Sequence, residues 1–386
     1  MKEGWSYKKL GEVARVQNGF AFDSKLFNEN AIGTPLIRIR DIKRAYTMTY
    51  TTETCSTDYF IEDGHVLIGM DGDFNVCIWK GGHAYLNQRV CRVVPSDAIL
   101  PRFIYYFLPF PLKRINDKTS FSTVKHLSSK QVNEMLVPIP PLQEQHSIVS
   151  RLDTAFSHID ALKANAEKQL NEARKLFQAE LTECMKPKEG WEEKKLGDIA
   201  DIKGGKRVPK GYKLENFDTG HRYIRVSDFD DDGTIDLTNI QYISEEVYNQ
   251  IKNYTITDND VYLSIAGTIG KAGIIQSSLN GSNLTENACK LIFTKPVDKR
   301  YIYLYTKSDD FKKQIDKATK QTSQPKLAIT RLAQFIVPLP PLSDQHSIVS
   351  HLDSLSSNIR KLEELQQKTL TECDALKQAM LREVFE

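Results

Sequence analysis

Two segments of the chain carry apolar residues at alternating spacings of four and three, which is typical of a coiled-coil helix. Neither Pro nor Gly occurs from Leu142 to Met185 or from Leu342 to Glu386. Each segment can therefore form one helix of about 40 residues, roughly 60 Å long at 1.5 Å per residue. The predicted contact face consists of Ile148, Leu152, Ile159 and Leu162 in residues 143–186, and of Ile348, Leu352, Ile359 and Leu362 in residues 343–386. Because both helices share one register, we expect them to pair antiparallel.

The two remaining blocks, residues 1–142 and 187–342, have a different pattern. Short runs rich in Ile, Val, Tyr, Phe and Thr alternate with Gly, Asn and Asp, which favours short β-strands joined by turns. A helix is predicted after Pro101. The strands predicted most clearly are residues 35–39, 66–68, 90–94, 223–226, 261–265 and 290–294. The chain is thus predicted to be α+β, with two mostly β domains and two long helices.

The chain is also an internal repeat. The segment from Trp5 to Gly11 recurs from Trp191 to Gly197, at an offset of 186 residues. The segment Val-Pro-Ile-Pro-Pro-Leu at residues 137–142 recurs as Val-Pro-Leu-Pro-Pro-Leu at an offset of 200 residues. We infer a tandem duplication in which the variable loops lie inside each copy, and in which the Pro-Pro pairs form stiff joints to the helices.

Composition excludes several classes of protein. The 386 residues carry a net charge of +2, a surplus too small to indicate a phosphate binder by itself. The chain has no apolar run of 18 residues, so no membrane span is predicted. It also has no apolar segment near Met1, so no signal peptide is predicted. The six cysteines form no CxxC pair, which favours reduced thiols over disulfides or a zinc site. We expect a cytoplasmic protein without a bound metal.

The motifs that would indicate catalysis are missing. Gly267 to Gly273 has a glycine at every third residue, which favours a hairpin or loop over a dinucleotide site. Residues Gly204 to Arg207 lack the spacing of a phosphate-binding loop. His146 and His346 have no second ligand one turn away, so packing or exposure at a helix start is favoured over metal binding. We therefore expect no catalysis and no cofactor on this chain.

Two basic, polar stretches precede the Pro-Pro joints, one in each copy. Lys, Ser, Thr and Gln side chains commonly contact phosphate oxygens of a DNA duplex. A plain solvated loop is the alternative, although recurrence at the same place in both copies disfavours it. The candidate phosphate contacts are Lys118, Ser122, Lys125, Lys317, Lys320, Gln321 and Ser323.

The two copies differ most in the loops where base reading would be sought. Arg and Lys can read guanine, Asn and Gln can read adenine, and Asp can read cytosine in the major groove. Turn residues and structural caps remain the alternative for Asp71, Asp73 and the asparagines. The candidate base-reading residues are Asp71, Asp73, Asn75, Asn87, Arg89, Thr268, Lys271 and Asn287.

Taken together, these repeats resemble the specificity subunit of type I restriction-modification systems over essentially the whole chain. The resemblance rests on the duplicated opening, Trp5 to Gly11 and Trp191 to Gly197, and on the duplicated closing, Pro140 to Asp153 and Pro340 to Asp353. A long helix follows each closing. The family commonly has Glu-Gln in the closing motif; Glu144-Gln145 keeps this pair, whereas the second copy has Asp344-Gln345.

The resemblance implies a division of labour within a larger complex. Two target recognition domains, residues 1–142 and 187–342, would each bind one half of a bipartite double-stranded DNA target. The paired helices, residues 143–186 and 343–386, would act as a spacer on a pseudo-twofold scaffold. Two copies of the modification subunit would carry S-adenosylmethionine and methylate adenine, and restriction subunits would add ATP-driven translocation and cleavage.

Two other functions are compatible with parts of this pattern. A restriction-modification enzyme with its catalytic part in the same chain is disfavoured, because two recognition blocks and two helices account for the whole length. A coiled-coil adaptor that binds only protein is the second alternative. Binding to a pool of randomised duplexes distinguishes that adaptor from a reader of DNA sequence.

Overall fold

A computed structural model describes residues 4–118, 125–319 and 325–386 of the chain. Its residues fall into two units, one made of residues 1–165 with 368–386 and the other of residues 166–367. Each unit contains one copy of the repeated β domain together with parts of both long helices. Among the described residues, no helix has both the length and the apolar character needed to cross a membrane.

The first domain is built on short strands, most of them antiparallel. A four-stranded sheet has the order Ala14–Asn18, Val90–Pro95, Val66–Gly69 and Val76–Ile78. A five-stranded sheet has the order Phe27–Asn28, Tyr50–Thr51, Thr34–Ile37, Ala84–Leu86 and Phe60–Ile61. The helices of this domain are Leu10–Val13, Pro101–Phe107, Pro109–Lys118 and Ser129–Asn133.

The second domain repeats this arrangement with different loops. Its first four-stranded sheet has the order Ala200–Gly204, Ala288–Phe293, Val261–Ser264 and Ala272–Gly273. Its second has the order Gln241–Tyr242, Arg222–Ile224, Ser282–Leu284 and Thr255–Ile256. The helices are Leu196–Ile199, Glu245–Ile251, Lys299–Thr306, Asp309–Thr319 and Ile329–Leu332. All six strands predicted from the apolar runs are present, to within two residues at each end.

The repeated opening and closing segments meet in space. The opening strand Ser6–Lys9 pairs antiparallel with the closing strand Leu136–Ile139, and Glu192–Lys195 pairs with Ile336–Leu339 in the same way. The glycine of the opening motif allows this approach. A Cβ atom on Gly11 would lie 2.7 Å from Oδ1 of Asn133, and one on Gly197 would lie 3.0 Å from Cβ of Ala333. A larger residue at either position would require Asn133 or Ala333 to shift.

The closing motif also fastens each domain to the helix that follows it. Gln145 is fully buried; its Oε1 accepts from the backbone N–H of Leu100, and its Nε2 donates to the carbonyl oxygens of Ala98 and Pro140. Gln345 does the same in the second copy, accepting from Asp298 N–H and donating to Pro340 O.

An ion pair adds a second link between each domain and its helix. Arg102 binds Asp153 in the first copy, with its Nε 2.9 Å from Oδ1. Arg300 binds Asp353 in the second copy, with its Nη2 2.8 Å from Oδ1. The Leu-Asp end of the closing motif therefore has a structural role in both copies.

The two long helices run from Leu142 to Cys184 and from Leu342 to Phe385, as the apolar spacing predicted. Ion pairs show that their segments are antiparallel within each unit. Lys377 lies 2.5 Å from Asp160 and Lys163 lies 2.8 Å from Asp374 in the first unit. Arg174 lies 2.7 Å from Glu363 in the second unit.

Apolar residues of the long helices also contribute to the hydrophobic cores of the β domains. Ile148 and Leu152 belong to the core of the first domain, where they meet Leu381 and Val384 from the other long helix. Leu352 is likewise buried in the core of the second domain, together with Leu181 and Met185. Ile348 packs against that core and is only partly buried.

The prediction that Leu162 lies in a buried seam is wrong, because this residue is 57% exposed. A straight helix has 3.6 residues per turn, so a repeat of seven residues drifts by about 20° in each heptad. The neighbouring Lys163 faces the second helix instead and pairs with Asp374. Ile159 is buried as predicted, whereas Ile359 and Leu362 are half-buried.

Candidate nucleic-acid interface

A cluster of polar residues in the first domain is centred on Asp71. Its Oδ2 atom lies 2.5 Å from Nη1 of Arg89, and its Oδ1 atom lies 2.7 Å from Nδ1 of His126. The carboxylate side chain is only 10% exposed, whereas Arg89 is 57% and His126 is 61% exposed. Asp71 therefore holds two exposed basic side chains at the surface.

The charge of Asp71 makes this arrangement stable at neutral pH. Burial alone would raise the pKa of Asp71, but the hydrogen bonds from His126 and Arg89 outweigh it and hold the pKa below its ordinary value. Asp71 is consequently a carboxylate, and Arg89, which donates to it through Nη1, is 57% exposed. A guanidinium fixed at one end and exposed at the other can donate two hydrogen bonds to the edge of a guanine.

The other base-reading candidates of the first domain are Asn87, Asp73 and Asn75, and each makes contacts within the domain. Asn87 is buried, and its Oδ1 accepts from the backbone N–H of Arg89 at 3.4 Å, so the alternative of a structural cap is favoured. Asp73 is exposed and lies 3.3 Å from Nζ of Lys43. Asn75 is half-buried and accepts, through its backbone oxygen, from Gly69 N–H. Of these three residues, Asp73 is the most exposed.

The ammonium group of Lys125 is also held within the domain by hydrogen bonds. Its Nζ donates to both the backbone oxygen and Oδ1 of Asn116, each at 2.7 Å. Asn116 in turn donates to Gly72 O, and Gly72 N–H donates to Lys125 O. The ammonium group of Lys125 thus braces the loop that carries Asp71, because it satisfies two acceptors at the end of the helix Pro109–Lys118.

Backbone hydrogen bonds show which residues of the second domain occupy the same places. Met70 N–H donates to Arg89 O in the first domain, and Ile265 N–H donates to Asn287 O in the second. Asn287 therefore stands where Arg89 stands in the first domain. The first domain has an isolated β-bridge between Asp71 and His126, and the second has one between Ala266 and Lys326. Ala266 therefore matches Asp71, and Lys326 matches His126.

Two candidates of the second domain lie in a tight hairpin. The glycine-rich segment forms the turn between the strands Val261–Ser264 and Ala272–Gly273, as the loop interpretation predicted. Thr268 is exposed at this turn, and its carbonyl accepts from the hydroxyl of Ser264. Lys271 bends back onto the domain, where its Nζ donates to Phe229 O at 3.2 Å and lies 2.7 Å from Asp231.

The basic stretches are only partly described. Lys118 and Lys317 are exposed at the ends of the helices Pro109–Lys118 and Asp309–Thr319. Ser122, Lys320, Gln321 and Ser323 lie outside the described residues. His126 and Lys326 belong to the same basic stretches but were not singled out from the sequence. Their equal distance from the Pro-Pro joint was the signal that could have identified them.

Comparison with known proteins gives a consistent result. The family model of the type I restriction modification DNA specificity domain matches residues 2–172 and 188–372. The type I restriction enzyme EcoBI specificity subunit of Escherichia coli is 31% identical to this chain, over 99% of the chain and 86% of that protein.

Solved structures show the same fold. One chain, from a structural study of complex assembly and conformational transition in the type I R-M system, has a TM-score of 0.78 at 17% identity, with 100% of this chain and 98% of that chain covered. The HsdS subunit from Thermoanaerobacter tengcongensis has a TM-score of 0.59 at 18% identity, with 100% and 97% covered. With both copies of the repeat matched by the family model, the chain belongs to the family of type I restriction-modification DNA specificity subunits.

Proposed function

We propose that this chain supplies the DNA sequence specificity of a type I restriction-modification complex, with each β domain reading one half of a bipartite duplex target. One observation carries the proposal. The two domains share a backbone frame but place different side chains at matched surface positions, Arg89 in one and Asn287 in the other. Arginine suits guanine and asparagine suits adenine, so the two domains would prefer different half-sites.

The cluster around each of these residues supports the same function. In the first domain, Asp71 and His126 flank Arg89, whereas Ala266 and Lys326 occupy the matched positions in the second domain. The second cluster thus lacks the carboxylate and keeps a basic side chain. Because a carboxylate repels phosphate unless a cation balances it, the ion pair with Arg89 offsets the negative charge of Asp71 on the surface that would face DNA.

Catalysis belongs, in this proposal, to other subunits. Modification subunits, two in each complex, would carry S-adenosylmethionine and transfer the methyl group, and restriction subunits would use ATP and cut DNA. The long helices offer apolar surface for docking. Leu162 and Leu376 are exposed in the first unit, and Leu176 and Leu365 are exposed in the second. Exposed leucines on a polar helix face are suited to contact with a partner protein.

Selection from a randomised duplex pool tests the proposal. The purified chain, mixed with its modification subunit, is expected to enrich duplexes that share two short sequences at a constant separation. The same chain alone is expected to transfer no methyl group from labelled S-adenosylmethionine. If no sequence were enriched while the modification subunit still bound, the chain would be a protein adaptor and the proposal would be wrong.

Salt dependence tests the phosphate contacts separately. Replacing Lys118 or Lys317 with Ala should weaken binding equally for all sequences and reduce the slope of log K against log salt by about 0.9 for each lost contact. Lys175→Ala, an exposed lysine on the first long helix, is the matched control and should leave the slope unchanged. An unchanged slope in both the Lys118 and the Lys317 variants would show that these two lysines do not contact phosphate.

A further inference from the structure

Three side chains capable of binding a metal converge in the second unit, away from the recognition loops. Glu180 and Cys184 lie on the first long helix, and His351 lies on the second. Nε2 of His351 is 3.0 Å from Oε1 of Glu180, and Sγ of Cys184 is 3.9 Å from the same oxygen. The three ligand atoms all lie within 4.8 Å of one another.

These separations are close to, but not equal to, those expected between ligands of one zinc ion. Zinc binds nitrogen and oxygen at about 2.0–2.2 Å and sulfur at about 2.3 Å, usually in a tetrahedron, so two bound ligand atoms are about 3.3–3.7 Å apart. The two measured distances lie on either side of this range. Placing an ion between the three atoms requires the first distance to lengthen and the second to shorten, by a few tenths of an ångström in each case. Thiolate and imidazole ligands also favour zinc over magnesium or calcium, which prefer oxygen ligands.

The helices hold the three residues in a suitable arrangement. Residues four apart lie on the same face of a helix, so Glu180 and Cys184 project side by side toward the second long helix. Leu181 and Leu352, the neighbours of Glu180 and His351 along the chain, are fully buried in the domain core. The side chains of Glu180 and His351 are 39% and 55% exposed, which leaves space for a water molecule as the fourth ligand.

The first copy of the repeat provides an internal comparison. At the offset of 200 residues, the positions matched to His351, Glu180 and Cys184 are occupied by Arg151, Met380 and Val384. Val384 is buried in the apolar core of the first domain, and Met380 packs against that core. Arg151 lies 3.8 Å from Glu383. Folding of the helix pair therefore does not need the three ligand types, which makes their convergence in one copy informative.

We propose that Glu180, Cys184 and His351 bind one Zn²⁺ ion, with water in the remaining position. The Cys184 thiol gives up its proton to the solvent when the ion binds, as thiolate ligands do. The ion clamps the end of the first long helix to the beginning of the second within this unit. This proposal is independent of DNA recognition, because none of its three residues lies in a recognition loop. It also replaces the expectation, drawn from cysteine spacing, that the chain holds no metal.

Titration of the untagged, metal-free chain with Co²⁺ tests the proposal, because a cobalt ion bound by a thiolate has a charge-transfer absorption in the near ultraviolet. The wild-type chain is expected to show this band, to saturate at about one ion per chain and to lose the band when Zn²⁺ is added. Cys184→Ala should lack the band. His351→Arg, which introduces the residue found at position 151, should also abolish saturable binding.

Two controls keep the result interpretable. Cys55→Ala removes a half-buried thiol elsewhere in the chain and should leave the cobalt band unchanged. Added Zn²⁺ should raise the melting temperature of the wild type and of Cys55→Ala, but not that of Cys184→Ala, since an ion that binds only the folded state stabilises it. Absence of the band in the wild type, or an equal band in Cys184→Ala, would overturn the proposal. If a variant did not fold, Glu180→Gln would serve as the third test of the same band.

Discussion

At the scale of single residues, the closing glutamine of each copy is a structural element rather than a functional one. Gln145 and Gln345 are 0% and 1% exposed, and each joins a backbone N–H to a proline carbonyl across the joint between β domain and helix. Buried polar groups of the backbone are costly when they lack a partner. These hydrogen bonds give a physical reason for a glutamine at this position in both copies of the repeat.

Replacing Gln145 with Leu should destabilise the first unit by about 3 kcal/mol, because a buried N–H and two carbonyl oxygens would lose their partner at roughly 1–3 kcal/mol each, partly offset by apolar burial. Urea denaturation measures the change. Gln143→Leu is the matched control two residues away; Gln143 is exposed, so the change should stay within about 0.5 kcal/mol. Equal stability of the two variants would show that the buried hydrogen bonds contribute little.

Arg89 and Asn287 are expected to be specificity residues of opposite half-sites. Arg89→Ala should relax selection at one base pair of the first half-site, with a loss of about 1–3 kcal/mol in discrimination, and should leave the second half-site unchanged. Asn287→Ala should have the reciprocal effect. Each variant thus controls for the other when both are compared by selection from randomised duplexes. A uniform loss of affinity without any change in sequence preference would assign both residues to phosphate contacts.

At the scale of elements, the sequence predicted strands and long helices well but predicted individual contacts less well. Apolar runs such as Val66–Gly69 become central strands because both faces of the sheet are covered. Burial along the helices was harder to predict, since it depends on what packs against each turn. Leu152 is buried in a domain core and Leu162 is exposed, although both fit the same apolar spacing.

The helices are proposed to set the distance between the two half-sites. Inserting seven residues after Ala166 and seven after Gln366 preserves the apolar register and lengthens each helix by about 10 Å. At about 3.4 Å per base pair, the separation of the half-sites should increase by about three base pairs, with the half-site sequences unchanged. Mapping of methylated sites, with the modification subunit supplied, measures the separation.

A single insertion is the control for this experiment. Seven residues added to only one helix would shift the matched ion pairs, such as that between Lys163 and Asp374, out of register. This variant should lose activity or stability. An active double-insertion variant with the original separation would contradict the proposed role of helix length, and altered half-sites would show that the helices take part in base reading.

At the scale of the whole molecule, the duplication explains both what could be predicted and what could not. Matching segments such as Trp5 to Gly11 and Trp191 to Gly197 revealed two equivalent domains without any structure. The segments 86–90 and 284–288 can be matched from the sequence, and the backbone hydrogen bonds of Met70 and Ile265 confirm that Asn287 occupies the position of Arg89. The cluster of Glu180, Cys184 and His351 was missed because His351 lies on the other long helix, far along the chain from Glu180 and Cys184.

If each domain reads its own half-site, replacing one domain with a second copy of the other should change one half of the target and leave the other half unchanged. Residues 1–142 are replaced by a second copy of residues 187–342, which ends at the same Pro-Pro joint. Methylated sites are then mapped for this variant and for the wild type, both with the modification subunit. The first half-site is expected to disappear, and the second half-site is expected to occur on both sides of the spacer. Methylation that still requires the first half-site would contradict this prediction.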